Sequence, residues 1–192
     1  MIIAPKHHFI HVPKTGGTFV FKAIKALGIP YSGSAFNHDQ VPSYRASCSY
    51  FVCIRDPADW MCSQYYHRKR HNWNWLNRKL ENRCKATSLT GFFENLSLPE
   101  NRDIVLDYYR YFLGNLPKDK ITYLRTKFLN KDLSAYLKSI PIVFDERLLL
   151  AMPAVHRKAA RNKLSISCSL RDRFISNNAG FYNMILENKI NL

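Results

Sequence analysis

The chain has 192 residues, 46% of them hydrophobic and 14% aromatic, which fits one globular domain with a proper core. A formal net charge of +15 calls for an anionic partner (a nucleotide, a polyanionic glycan, nucleic acid or a membrane surface) without choosing among them. Five cysteines, Cys48, Cys53, Cys62, Cys84 and Cys168, are odd in number and never in C-x-x-C spacing. That argues against a zinc site or a disulfide framework and for a reducing compartment, with Cys53 and Cys62 as small core residues. No run approaches the roughly 20 apolar residues of a membrane helix. The first strand begins too close to Met1 for a signal peptide. The expectation is a soluble, cytoplasmic protein.

In chain order, "FIHV" (9–12) reads as a short buried strand, which Pro13 ends because it has no N–H for a ladder. "PKTGGT" follows, and from Thr18 the run "TFVFKAIKALG" places Val20, Ile24 and Leu27 on one helical face. Gly28 is its stop. Gly16 and Gly17 therefore sit between a strand and a helix N-terminus, where free N–H groups and the helix dipole attract anions. Lys14 adds a full charge. The nucleotide loop G-x-x-x-x-G-K-[ST] is absent, since here the lysine precedes the glycines. This stretch alone leaves open a phosphate site or a plain turn.

"GIPYSGSAFNHDQVPSYRAS" is rich in turn residues and reads as a loop with a short strand. "SYFVCI" (49–54) is a near-continuous apolar run suited to a buried parallel strand. After it, Asp56 is an N-cap and Pro57 a first helical residue. Residues 67–85 carry seven Lys/Arg against one Glu, interleaved with Trp73 and Trp75, so this stretch is either a solvated basic surface or an acceptor-binding one. "SLTGFFENL" and "ENRDIVLDYYRYFLGNL" read as helices, "KITYLRT" (120–126) as a third strand, and "LNKDLSAYLKSI" as a helix. The tail "SLRDRFISNNAGFYNMILENKI" reads as one amphipathic helix from near Ser169. Strands separated by helices predict an α/β fold with a parallel sheet.

The second strand repeats the logic of the first: a buried strand ends, a charged residue follows, and a helix begins. Arg55 falls where the carboxyl ends of parallel strands place ligands, and arginine grips phosphate bidentately. Ser63 follows eight residues later.

Taken together, the two motifs resemble those of the PAPS-dependent sulfotransferases (PAPS is 3′-phosphoadenosine-5′-phosphosulfate). "FIHVPKTGGTF" is similar to their 5′-phosphosulfate loop, and "RDPADWMCSQY" to their 3′-phosphate motif, a strand-end Arg with Ser at the eighth position. The resemblance spans about residues 8–67 and is nearest to the carbohydrate branch. Trp60 stands where many carbohydrate sulfotransferases have Arg. The expectation is a soluble, bacterial-type member without the N-terminal membrane anchor of Golgi members.

The resemblance implies a single domain over 1–192, α/β, with a P-loop NTPase-like parallel sheet flanked by helices. It implies PAPS as sulfuryl donor, PAP as product, no metal, and a glycan or glycolipid acceptor. Lys14 would be catalytic and, with Thr15, Gly16, Gly17, Thr18 and Phe19, would bind the 5′ end of the nucleotide. Arg55 and Ser63 would hold its 3′-phosphate. Arg157 and Lys158, in the late basic segment with His156, would help close over it. His38 would be the base, with Asp39 as runner-up, and His67 and Trp73 would be further substrate contacts. Arg68, Lys69, Arg70, Arg78 and Lys79 would steer an anionic acceptor.

Two other classes compete. A nucleic-acid-binding module is suggested by the charge and the interleaved aromatics. Against it, the charge is spread along the chain and no RNP, KH or zinc pattern appears, so no nucleic-acid partner is expected. A P-loop kinase lacks support because G-K-[ST] and an evident Mg²⁺-binding carboxylate are missing.

Overall fold

The computed structural model describes residues 1–4, 6–33, 45, 47–74, 79–153, 166–188 and 190. They gather into two compact units: those of Met1–Arg55 with Tyr111–Arg157, and those of Asp56–Arg110 with Lys158–Asn191.

The first unit is a five-stranded sheet with helices. Its strands are β1 (Ile2–Ile3), β2 (His7–Ile10), β3 (Tyr31–Ser32), β4 (Ser49–Ile54) and β5 (Ile121–Arg125), in the order β3-β1-β2-β4-β5. β2, β4 and β5 are parallel, in the register Phe9↔Phe51 and Cys53↔Leu124, with β5 at one edge of the sheet. The sheet is mixed rather than wholly parallel. β1 turns back on β2 through Ala4, whose φ is 54°, and β3 pairs antiparallel with β1. β3, at the other edge, falls in the loop where a short strand is expected, whereas the two-residue β1 carries no apolar period and the sequence pattern does not reveal it.

Side chains alternate across a strand. Phe9, Phe51, Cys53 and Leu124 share a core with Val20, Ala23 and Ile24 of α1 (Gly17–Ala26) and with Leu129, Leu133 and Leu137 of α6 (Leu129–Lys138). Ile10, Tyr50, Val52 and Ile54 alternate with them and are buried too. Burial of both faces accounts for the unbroken apolar run of β4. α7 (Glu146–Ala151), capped by the Asp145 side chain, adds Leu149 to the same core.

The second unit is helical. α2 (Pro57–Arg70) starts where Asp56 accepts from the Asp59 N–H, with Pro57 in its first turn. α3 (Lys79–Cys84), α4 (Leu89–Leu96), the start of α5 (Ile104–Leu113), α8 (Cys168–Asn177) and α9 (Ala179–Glu187) complete it. Trp60 is fully buried here, its ring 5.5 Å from Tyr108, 5.6 Å from Tyr109 and 5.9 Å from Phe181. The tail is two helices rather than one, because Asn178 interrupts it. Its buried amide donates to the Phe174 and Leu96 carbonyls, and its Oδ1 accepts the Val105 N–H. Among the described residues, no helix is long and apolar enough to cross a membrane.

Candidate functional site

The loop after β2 is built by steric demand. Lys14 lies at φ 68° and Gly16 at φ 115°. The left-handed region costs a side-chain-bearing residue about 1 kcal/mol, and such strain gathers at turns and at functional sites. A β-carbon on Gly16 would stand 2.8 Å from Leu129 Cδ2. One on Gly17 would run into the His11 ring, which is itself buried. Glycine is thus favoured at position 16 by its positive φ and required at 17 by the His11 ring, whatever the loop holds. Gly17→Ala is expected to cost about 1–3 kcal/mol by overpacking. Thermal unfolding checks this, and an unchanged Tm would contradict the fit described.

α1 starts at Gly17 with no side-chain cap. The Phe19 and Val20 N–H groups both donate to the Gly16 carbonyl, at 2.9 and 3.3 Å. The N–H groups of Gly17 and Thr18 belong to the first turn, which has no acceptors of its own within the helix. Thr15 is buried, and its hydroxyl donates to the Val12 carbonyl at 2.8 Å, so it braces the loop from inside. Phe19 is buried and serves the core, while Lys14 and Thr18 are half-buried.

β4 ends at Ile54, and Arg55 follows directly. Its Nη1 donates to the Lys14 carbonyl at 3.5 Å. Two cationic residues, Lys14 and Arg55, therefore stand past the carboxyl ends of adjacent parallel strands, the edge where α/β sheets bind ligands. β5 ends in a third cation, Arg125, but that one is committed. Its Nε and Nη2 reach the two carboxylate oxygens of Asp132 at 2.8 and 2.6 Å, its N–H donates to the same group, and its guanidinium lies 4.8 Å from the centre of the Phe128 ring.

Burial pushes the Asp132 carboxyl upward, but the hydrogen bonds and charge of Arg125 outweigh it and hold the group below the usual carboxylate range. A folded pKa below the unfolded one gives stabilisation that is complete above about pH 4 and is lost as pH falls through the folded value. Asp132→Asn should therefore lower Tm at pH 7 and flatten the loss of Tm on acidification. Parallel Tm–pH curves for the two proteins would contradict this.

The first unit thus brings together Lys14, Thr15, Gly16, Gly17, Thr18, Phe19 and Arg55. Ser63, His67 and Trp73 belong to the second. Ser63 is buried on α2. The half-buried His67 ring lies 4.6 Å from that of His71, one turn on. Trp73 is half-buried among aromatic rings, 6.0 Å from Tyr65 and 5.7 Å from Phe92. His38, Asp39, Trp75, Arg78, His156, Arg157 and Lys158 lie outside the described residues, as does the Lys79 side chain. Among the described residues, no group of three or more His, Cys, Asp or Glu side chains gathers as a metal site would need.

One expected surface cation is not at the surface. Arg68 is fully buried, donating to Gln64 Oε1 and, at 3.1 Å, to the Tyr108 hydroxyl, so it is part of the second unit's interior. Lys69 and Arg70 are exposed. A residue that the motifs do not single out is Thr126, just past β5. Its hydroxyl lies against the carbonyls of Thr15 and Ile54. Those partners are 111 and 72 residues away in sequence, which leaves no local signal.

Comparison of the chain with protein-family models, with curated proteins and with solved structures finds no match.

Proposed function

We propose that the protein is a PAPS-dependent sulfotransferase that moves a sulfuryl group to a hydroxyl of a glycan or related acceptor. The observation that carries this reading is the pairing of Lys14 and Arg55 at the ends of adjacent parallel strands, one on a glycine loop that opens a helix, the other beside it. A strand–loop–helix whose lysine precedes its glycines offers backbone N–H groups and one cation to a doubly charged anhydride. The second cation, at the next strand end, suits a separate phosphate on the same nucleotide. The P-loop-like character of the fold is part of this proposal.

The reaction is in-line. The acceptor oxygen attacks sulfur, a new O–S bond forms, and the S–O bond to the 5′-phosphate breaks. PAP leaves with the bonding electrons, and the acceptor proton passes to a base, for which His38 is proposed. Negative charge grows on the departing phosphate oxygen. Lys14, aimed there, stabilises the transition state more than the ground state. A general base at His38 would contribute about 10²–10⁴ in rate. Lys69 and Arg70 remain the described exposed cations at the end of α2 able to attract an anionic acceptor.

The test is thermal stabilisation by PAP, compared with ATP·Mg²⁺ and with a short oligonucleotide. PAP alone should raise Tm in a dose-dependent way. A shift with ATP·Mg²⁺ and none with PAP would favour a kinase, and a shift with the oligonucleotide alone would favour a nucleic-acid-binding module.

A further inference from the structure

An anion loop works only if its N–H groups face the ligand and its carbonyls face away. In a trans peptide, the C=O of one residue and the N–H of the next point in opposite directions. Whatever captures a loop carbonyl therefore aims the following N–H. The chain has no cis peptide among the described residues. The Thr126 hydroxyl lies within hydrogen-bonding reach of the Thr15 carbonyl, whose peptide unit includes the Gly16 N–H. The same hydroxyl is 3.0 Å from the carbonyl of Ile54, the residue before Arg55. Thr126 Cγ2 also stands 3.6 Å from where a β-carbon on Gly16 would be, so the side chain fills the underside of the loop.

From this geometry we infer that Thr126 is a positioning residue. It turns the Thr15–Gly16 peptide so that the Gly16 N–H faces the anion, and it ties the loop to the strand that carries Arg55. One proton serves one acceptor at a time, so the hydroxyl links both carbonyls while donating to either. The inference rests on the sulfotransferase reading for the identity of the anion, the 5′-phosphosulfate end of the donor. It differs from the role given to Arg55, because the Gly16 N–H belongs to the loop and not to the strand end assigned to the 3′-phosphate.

The experiment is calorimetric titration of the full chain with PAP, adenosine 5′-phosphosulfate and inorganic pyrophosphate, for wild type, Thr126→Val and Thr126→Ser. Valine keeps the shape and removes the donor, while serine keeps the donor. Thr126→Val should weaken all three ligands by a similar factor, on the order of tenfold, the scale of one hydrogen bond in an anion site. Thr126→Ser should restore affinity. The Gly16 amide resonance of wild type should shift on adding each ligand, and this readout stands even if the valine variant does not fold. Wild-type affinity in Thr126→Val, equal loss in both variants, or an unmoved Gly16 resonance at saturation would overturn the inference and leave the sulfotransferase reading standing. Binding of pyrophosphate without PAP would remove that reading while Thr126 is still judged on pyrophosphate. No binding of any of the three would overturn both.

Discussion

Lys14→Ala is expected to lower kcat for sulfuryl transfer by about 10²–10³, the scale of removing one donor aimed at developing charge. The lysine follows β2 and precedes Gly16 and Gly17, on a backbone whose positive φ already departs from the ordinary. In the proposed reaction its charge would do most as the phosphate oxygen leaves, so the loss should fall on kcat, with a smaller rise in the Kd of PAP. Steady-state kinetics together with a PAP titration separate the two. A change confined to KM for PAPS would make Lys14 a binding residue only.

Arg55→Ala is expected to weaken PAP by about 10- to 100-fold, the range for hydrogen bonds to a charged group. The same change should spare adenosine 5′-phosphosulfate, which lacks the 3′-phosphate. Arg55 is the reasonable bearer of this role because Arg125, the cation at the next strand end, is held by Asp132 in a two-pronged pair. Equal loss for both nucleotides in calorimetry would contradict the assignment of Arg55 to the 3′-phosphate.

The elements that local chemistry dictates were legible in the sequence. Asp56 and Pro57 mark the start of α2, "SLTGFFENL" gives α4, and the apolar run "SYFVCI" is β4. The position of Arg55 at a strand end follows from the same run. Features that depend on distant partners were not legible. The charge run at 67–70 gives no sign that Arg68 turns inward, because its partner Tyr108 is 40 residues away. The tail keeps an amphipathic pattern across Asn178, and only tertiary bonds to Leu96 and Val105 fix the break there. Thr126 looks like the last residue of an ordinary strand until the fold sets it beneath the loop. The glycines were legible as a loop, but the reasons for them, the positive φ at Gly16 and the His11 ring against Gly17, required the fold.

The most direct test of the central claim is transfer of radiolabelled sulfate from PAPS to a panel of glycans, glycolipids and small phenols by the purified chain without added metal. The account predicts time-dependent label on a hydroxylated acceptor of the panel, release of PAP in equal amount, and near-complete loss of both with Lys14→Ala. Absence of transfer to every acceptor class, from protein whose Tm PAP does not raise, would contradict it.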